Sequence, residues 1–234
     1  MKPPVDAPTS TQSRPAGSTP RTSSAWASFS PPREANRGGE KLAHALDAFD
    51  VDPAGRDCLD VGASTGGFTD VLLQGGAARV AAVDVGYGQL HERLRADPRV
   101  IVLERTNVRE LRELPFTPGL VVCDVSFISI RLALPPALAL AERGWTAVVL
   151  VKPQFEAGRA EVGKGGVVRD VAVRRRVVRE IAEFALAWGG ETLGVVDSGL
   201  PGPKGNREVF LHLVNRERPQ LPDDIDERIA TAVG

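Results

Sequence analysis

The amino-acid sequence predicts an α/β fold in which helices cover both faces of a mostly parallel sheet. Three observations support this prediction from about residue 37 onward. Short runs rich in β-branched residues alternate along the chain with amphipathic helical patterns. A glycine-rich turn joins the first of these runs to the helix after it. Polar residues, among them Asp84, Asp124 and Lys152, stand where apolar runs end, and open α/β sheets bind their ligands at such strand ends.

Four segments have the apolar spacing of helices. The clearest is residues 170–190, where Asp170 is a suitable N-cap for a stripe of apolar residues that ends at Trp188. In another segment, Pro135 and Pro136 predict an early break or a helix that starts at the prolines. The predicted helices are residues 37–51, 68–77, 132–143 and 170–190.

Strands are predicted where β-branched residues form short apolar runs. Two of these runs contain Cys58 and Cys123, which we interpret as small buried hydrophobic residues. The predicted strands are residues 58–63, 79–86, 99–106, 119–126, 146–155, 191–199 and 207–215.

The two ends of the chain differ from this pattern. Residues 1–36 contain seven Ser, four Thr and seven Pro, half of the segment, and such a composition cannot bury enough apolar surface to offset the entropy of ordering. We therefore predict a disordered tail at 1–36, a folded domain at 37–218 and a solvated acidic tail at 219–234.

The overall composition limits the class of protein. A formal net charge of −1 excludes a uniformly basic nucleic-acid binder, so any RNA-binding surface has to be local. No apolar run approaches the length of a membrane span, and the polar N-terminus lacks the apolar core of a signal peptide. A cytoplasmic location is therefore expected.

The turn after the first predicted strand contains Gly62, Ser64, Gly66 and Gly67. Glycines there let the backbone turn tightly and approach a ligand at the N-terminus of the next helix, although packing alone can also require them. Asp84 ends the second strand, 22 residues after Gly62, where an acid can accept hydrogen bonds from both ribose hydroxyls of an adenosine. Together they favour a bound adenosine cofactor.

The spacing of the glycines discriminates among such cofactors. A phosphate-binding P-loop requires Lys and then Ser or Thr after the glycines, where this chain has Phe68, and the G-x-G-x-x-G pattern of dinucleotide sites is absent from the turn. A ligand without a pyrophosphate fits better, and S-adenosylmethionine is the common one. Asn107 either meets the adenine edge or caps the next turn. The candidate cofactor-binding residues are Asp60, Gly62, Ser64, Gly66, Gly67, Phe68, Asp84, Asn107 and Asp124.

Six segments between about residues 37 and 214 are specific in combination: LDVGASTGGFTD, DVGYGQL, LERTN, DVSFIS, LVKPQFEAGRAEVGKGGVVRD and GPKGNREVFLHL. With them the chain resembles the TlyA-type (hemolysin A) ribosomal RNA 2′-O-methyltransferases, which share a catalytic domain with FtsJ-like enzymes. The resemblance implies a Rossmann-like, S-adenosylmethionine-dependent methyltransferase fold with seven strands, the last of them antiparallel. It also implies methyl transfer to a ribose 2′-hydroxyl of cytidine in ribosomal RNA.

The resemblance further implies a catalytic tetrad of Lys41, Asp124, Lys152 and Glu208, all four of which have the expected residue type. Considered singly, each has an ordinary structural role open to it, such as a solvated lysine or a helix cap. Their joint occurrence beside the glycine turn favours the functional interpretation. One feature departs from the family: where most members carry an S4-type RNA-binding domain, this sequence has the Ser/Thr/Pro-rich segment, which leaves recruitment to the ribosome open.

Methyl transfer from a sulfonium to a ribose oxygen needs no metal, but it needs a group that accepts the hydroxyl proton. A free lysine is mostly protonated at neutral pH, and a partly desolvated site near a second cation favours its neutral form. We therefore predict that Lys152 activates the hydroxyl, that Lys41 is the second cation, and that Asp124 and Glu208 orient the amine.

Contacts to RNA are predicted in the second half of the domain, where residues 152–218 contain twelve Lys/Arg against nine Asp/Glu. Cationic residues in two glycine-containing loops can hold phosphates near the cleft. Arg174, Arg175, Arg176 and Arg179 are instead interpreted as the solvated face of their helix. The candidate RNA-binding residues are Arg159, Lys164, Arg169, Lys204 and Arg207.

Three other functions are compatible with parts of the sequence. A non-catalytic RNA-binding or ribosome-assembly protein with the same fold is the main alternative, and the complete tetrad speaks against it. A secreted membrane-active hemolysin is disfavoured because the sequence has no signal peptide or cationic amphipathic segment. A nicotinamide-dependent oxidoreductase is disfavoured by the glycine spacing.

Overall fold

The structure is a computed structural model that describes residues 36–234. The predicted disorder of the N-terminal tail therefore lies outside the described residues, except that Asn36 already belongs to the first helix. Within the described range, no helix is both long and apolar enough to cross a membrane.

Seven strands form a single sheet. They are β1 (Asp57–Val61), β2 (Arg79–Val83), β3 (Val100–Leu103), β4 (Leu120–Cys123), β5 (Thr146–Val151), β6 (Gly190–Asp197) and β7 (Val209–Asn215). Their order across the sheet is β3-β2-β1-β4-β5-β7-β6. All neighbouring pairs from β3 to β5 are parallel, and β7 is antiparallel to both β5 and β6. The predicted mostly parallel, seven-stranded sheet with an antiparallel last strand is confirmed.

Helices cover both faces of this sheet. They are α1 (Asn36–Ala48), α2 (Gly67–Gln74), α3 (Glu92–Arg95), α4 (Ile130–Leu138), α5 (Pro153–Glu156), α6 (Val171–Leu186) and α7 (Ile225–Val233). Side chains alternate along each strand, so Leu59 and Val61 contribute to the core under α4, α6 and α7, whereas Cys58 contributes to the core under α1 and α2.

Asp170 caps α6 as predicted, because its carboxylate accepts a hydrogen bond from the backbone N–H of Ala172 at 2.8 Å.

Helix α4 differs from its prediction, because Pro135 and Pro136 lie inside it and neither break nor begin it. Its start is fixed five residues earlier by two side-chain caps. The Ser129 hydroxyl accepts a hydrogen bond from the N–H of Arg131 at 3.1 Å, and the Glu156 carboxylate accepts one from the N–H of Ile130 at 2.7 Å. Pro135 and Pro136 are the sixth and seventh of its nine residues, so the helix lacks two internal N–H donors, and the two caps stabilise its start.

The C-terminal segment also differs from its prediction. Residues 219–234 were expected to form a solvated acidic tail, but they contain α7, which packs on the core beside α6. Ile225, Ile229 and Val233 recur every four residues and are buried, while the acidic residues lie on the opposite, exposed face. The prediction of a solvated tail was wrong because it rested on the acidic residues alone. The apolar residues at every fourth position form a buried helix face.

Candidate active site

A cavity of about 360 Å³ lies at the carboxyl ends of β1, β2 and β4, where an open α/β sheet is expected to hold its ligand. Its size falls within the usual range of small-molecule sites. Five of the predicted cofactor-binding residues line it, namely Gly62, Ser64, Asp84, Asn107 and Asp124.

Gly62 is required by the close approach of two strand ends. Its φ of +87° lies in the left-handed region, and a Cβ at this position would lie 2.4 Å from the backbone oxygen of Asp124. Any other side chain would therefore strain the backbone and push the turn after β1 away from Asp124, the residue that follows β4. The glycine thus holds the predicted cofactor turn and Asp124 together at the cavity.

The carboxylate of Asp84 joins the loops that follow β1 and β2. One oxygen accepts a hydrogen bond from the N–H of Ser64 at 2.8 Å, and the other accepts one from the N–H of Gly86 at 2.6 Å. A carboxylate has about four acceptor positions, so acceptor capacity remains on the side of the cavity that Asp84 lines.

Asn107 fits both interpretations that the sequence left open. Its side-chain oxygen accepts a hydrogen bond from the N–H of Arg109 at 3.1 Å, which caps the turn after β3. The same residue lines the cavity.

The structure does not place the other four predicted cofactor residues on the cavity wall. Gly66 is the N-cap of α2 with φ +97°, and a Cβ there would lie 2.3 Å from the side chain of Leu94. Gly67 is buried in the first turn of α2, and the Phe68 ring packs against Phe210 in the core. The remaining residue, Asp60, is fully buried beneath the turn. These four residues therefore support the turn by packing and do not line the cavity.

Asp60 is a buried acid with one hydrogen-bond partner. Thr69 donates from its hydroxyl to one carboxylate oxygen at 2.6 Å, and the other oxygen is buried without a partner. Burial is the main cause that raises the pKa of Asp60 to about 7; the hydrogen bond from Thr69 lowers the pKa, and the negative charges of Asp124 and Asp84 add to the effect of burial. The carboxyl group is thus largely neutral below neutral pH.

Because the folded-state pKa of Asp60 lies above the unfolded value of 3.8, the unfolded chain releases this proton at lower pH. Its contribution to stability is therefore fully present below about pH 4 and is lost as pH rises from there through about 7. We expect Asp60→Asn, which keeps an acceptor for Thr69, to gain stability relative to the wild type over this interval. Urea denaturation at several pH values measures the difference, and a difference that does not change with pH would contradict the prediction.

The four residues of the predicted tetrad form two ion pairs. Lys152 Nζ lies 2.5 Å from Asp124 Oδ1, at the edge of the cavity. Lys41 Nζ lies 2.6 Å from Glu208 Oε2, and this second pair is almost completely buried. The direct partner of Lys152 is thus a carboxylate, and the positive charge of Lys41 is balanced by Glu208.

Two polar side chains that the sequence analysis did not select complete this arrangement. Lys152 donates to the hydroxyl of Ser126 at 2.8 Å, and Gln154 donates to Glu208 Oε1 at 3.1 Å. Both lie within two residues of a tetrad member, in the segments DVSFIS and LVKPQFEAG. Proximity to Asp124 and Lys152 along the chain was the signal that could have identified them.

The backbone after β5 explains the position of Lys152. Pro153 has no N–H for a strand ladder, and it occupies the first position of α5. β5 therefore ends at Val151, and Lys152 leaves the sheet as the N-cap residue of the short helix.

The five predicted RNA-binding residues are all exposed. Arg159, Lys164 and Arg169 lie on the loop between α5 and α6, and Lys204 and Arg207 lie on the loop before β7. Asn206 connects the two loops, because its side-chain oxygen accepts from the N–H of Val168 at 3.3 Å and its amide donates to the oxygen of Gly166 at 2.9 Å. The five cations therefore lie on one joined surface.

Comparison with known proteins places this site in a family. Residues 35–215 match the family model of the FtsJ-like methyltransferases. The chain is similar to the 16S/23S rRNA (cytidine-2′-O)-methyltransferase TlyA of Mycobacterium tuberculosis, with 55% identity over 182 residues that cover 76% of this chain and 67% of the relative.

Solved structures agree with this match. A candidate hemolysin from Streptococcus thermophilus has a TM-score of 0.81 and 41% identity, covering 86% of this chain and 74% of the other. A candidate S-adenosylmethionine-dependent methyltransferase from Listeria monocytogenes, 17% identical, shares the fold with a TM-score of 0.56 over 77% of this chain and 99% of the other. By the family model that matches residues 35–215 and by its identity to the relative from M. tuberculosis, the chain belongs to the FtsJ-like methyltransferase family and groups there with TlyA-type proteins.

Proposed function

We propose that this protein transfers a methyl group from S-adenosylmethionine to a ribose 2′-hydroxyl of ribosomal RNA, at a cytidine as in the relative from M. tuberculosis. The observation that carries the proposal is the position of Lys152. Its amine is held between Asp124 and Ser126 at the edge of a cavity at the carboxyl ends of the strands. A polar amine fixed at this point can meet a hydroxyl that approaches the cavity.

The residues around the cavity fit S-adenosylmethionine. Asp84 has acceptor capacity for the two ribose hydroxyls, and Gly62, which lines the cavity, lets the turn lie directly against Asp124. Asn107 and Val85 line the same wall, where a polar edge and an apolar side chain suit the adenine ring. When bound, the cofactor supplies an electrophilic methyl group on a sulfonium.

Lys152, in its neutral form, would accept the proton of the 2′-hydroxyl, and the cofactor held by Asp84 and Asn107 would supply the methyl group that the ribose oxygen receives. The hydroxyl of Ser126 accepts one hydrogen bond from the amine, and Asp124 lies at ion-pair distance from it, so a further direction of the amine is left for the ribose hydroxyl. Glu208, which directly precedes β7, accepts hydrogen bonds from Lys41 and Gln154. These contacts hold the start of β7 beside the segment that contains Lys152. A correctly placed base contributes roughly 100- to 10,000-fold to rate.

The exposed cations Arg159, Lys164, Arg169, Lys204 and Arg207 are proposed to contact the phosphates of the RNA. Such contacts position a nucleic acid without reading its sequence. RNA affinity should then fall steeply as the salt concentration rises.

The test is transfer of a labelled methyl group from S-adenosylmethionine to unmodified ribosomal subunits and, in parallel, to naked ribosomal RNA. We expect label in RNA, with ribose methylation mapped to a cytidine. The control is the same RNA with a 2′-deoxynucleotide at the mapped position, which should accept no label. Absence of transfer to both subunits and naked RNA would contradict the proposal and favour a protein that only binds RNA.

A further inference from the structure

A second cavity has Glu208 in its wall. It has a volume of about 300 Å³ and is formed where the ends of β6, α6 and α7 meet the loop before β7. Two arginines, Arg174 of α6 and Arg207, contribute to its wall. It shares Glu208 with the predicted tetrad, so it lies next to the proposed site of methyl transfer.

Arg174 differs from the other arginines of α6. Arg176 pairs with Glu161 and Glu180, and Arg179 pairs with Glu183 and Asp226. These two belong to the solvated, paired face that was predicted for all four. The Nε of Arg174, in contrast, is buried and has no hydrogen-bond partner. An unpaired buried donor costs free energy, which a bound acceptor would recover.

Two acids, Asp197 and Glu208, contribute to the wall of the second cavity, and both already accept hydrogen bonds from other groups. Glu208 accepts from Lys41 and Gln154, and Asp197 accepts from the N–H of Gly199 at 2.5 Å. Asp170, at the start of α6, accepts from the N–H of Ala172. Among the described residues, no carboxylate side chain forms an ion pair with Arg174 or Arg207. Arg174 and Arg207 therefore keep their guanidinium groups free of a direct carboxylate partner within the described part of the chain, although Asp197 and Glu208 belong to the same wall.

The electrostatics of Arg174 agree with this description. Burial lowers the pKa of its guanidinium, and the positive charge of Arg207 lowers it further, while Asp170 acts in the opposite sense. A guanidinium nevertheless stays protonated in proteins. Two arginines that repel each other across a cavity are stabilised by an anion placed between them.

We infer that the cavity between Arg174 and Arg207 binds a backbone phosphate of the RNA substrate, next to the nucleotide that enters the methyl-transfer site. A phosphodiester matches the planar donors of arginine, and the shared Glu208 places this phosphate beside the tetrad. The inference rests on the proposed function for the identity of the RNA.

The test compares Arg174→Gln with Arg175→Gln, which removes the same charge from the adjacent, exposed position of α6 outside the cavity. Binding of the full chain to unmodified ribosomal RNA transcripts is measured over a range of salt concentrations. We expect Arg174→Gln to bind about tenfold more weakly, as for a lost charged hydrogen bond. Its slope of log affinity against log salt should also be shallower by roughly 0.7–0.9. Arg175→Gln should leave both quantities close to those of the wild type.

Two results would overturn the assignment of an RNA phosphate to this cavity. The first is equal affinities and equal salt slopes for the Arg174 and Arg175 variants. The second is inorganic phosphate that raises the Tm of the wild type but not of Arg174→Gln, with unchanged RNA affinity, because the cavity would then bind a free anion. If Arg174→Gln fails to fold, as shown by thermal denaturation, Arg174→Lys, which keeps the charge but lacks the planar donors of a guanidinium, provides the comparison and should also bind RNA more weakly than Arg175→Gln. Absence of methyl transfer by the wild type would refute the proposed function alone, because RNA binding is measured independently.

Discussion

Replacing Lys152 by alanine should abolish measurable methyl transfer, with a loss of roughly 100- to 10,000-fold in kcat. The amine of Lys152 is the group that Asp124 and Ser126 hold at the edge of the cavity, so its removal leaves no acceptor for the hydroxyl proton. The cavity wall that is proposed to bind S-adenosylmethionine does not include Lys152. Calorimetric titration with the cofactor should therefore give a nearly unchanged affinity.

Two further variants show why the activity is lost. Lys152→Arg keeps a cation beside Asp124 but cannot act as a base, because a guanidinium is not deprotonated in proteins, and it should be as inactive as the alanine variant. Lys164→Ala removes a lysine from the exposed loop and should raise the KM for RNA while kcat is maintained. Near-normal turnover by Lys152→Arg would mean that charge, and not proton transfer, is what Lys152 supplies.

The buried pair of Lys41 and Glu208 should have the largest effect on stability. Glu208→Gln leaves the Lys41 ammonium buried without its counter-charge, since the two side chains are only 8% and 0% exposed. Breaking a buried ion pair in this way costs about 3–5 kcal/mol. Urea denaturation should show this loss, whereas Asp57→Asn, which breaks the more exposed pair with Arg79, should cost less than about 1 kcal/mol.

The double variant Lys41→Met/Glu208→Gln separates stability from function. It removes both charges, so most of the lost stability should return. Methyl transfer should remain impaired, because the contacts of Glu208 with Lys41 and Gln154 no longer hold the start of β7 beside the segment of Lys152. If the double variant turned over at the wild-type rate, Lys41 and Glu208 would have a structural role only.

Several features of the fold and the site were predictable from the sequence because they depend on local patterns. β-branched runs and amphipathic spacing located the strands and the long helix α6. Asp84 was identifiable because it ends a strand at the expected distance from Gly62. Gly62 itself was identifiable because the turn has to admit another backbone, and Asp124 supplies that backbone.

Features that depend on distant parts of the chain were not predictable in this way. The resemblance to the TlyA-type enzymes implied one site for Lys41, Asp124, Lys152 and Glu208. It could not assign the ion pairs, because Lys41 and Glu208 are 167 residues apart and meet only in the folded protein. Nor did the sequence show that Arg174 lacks an ion-pair partner among the described residues while Arg176 and Arg179 have one. This difference depends on which acids of other elements lie close to α6 in the folded chain. Asp60 has the residue type of a ligand-binding acid. In the fold, however, it is fully buried and accepts a hydrogen bond from Thr69 of α2.

Asn206 gives the surface loops a mechanical connection to the interior. Its side chain bridges the loop before α6, through Val168 and Gly166, and its backbone lies two residues before Glu208. If the loop before α6 binds RNA as proposed, a shift of that loop would also move Asn206 and, two residues further along the chain, Glu208. RNA binding and the position of the Lys41–Glu208 pair would then be coupled through one buried amide side chain.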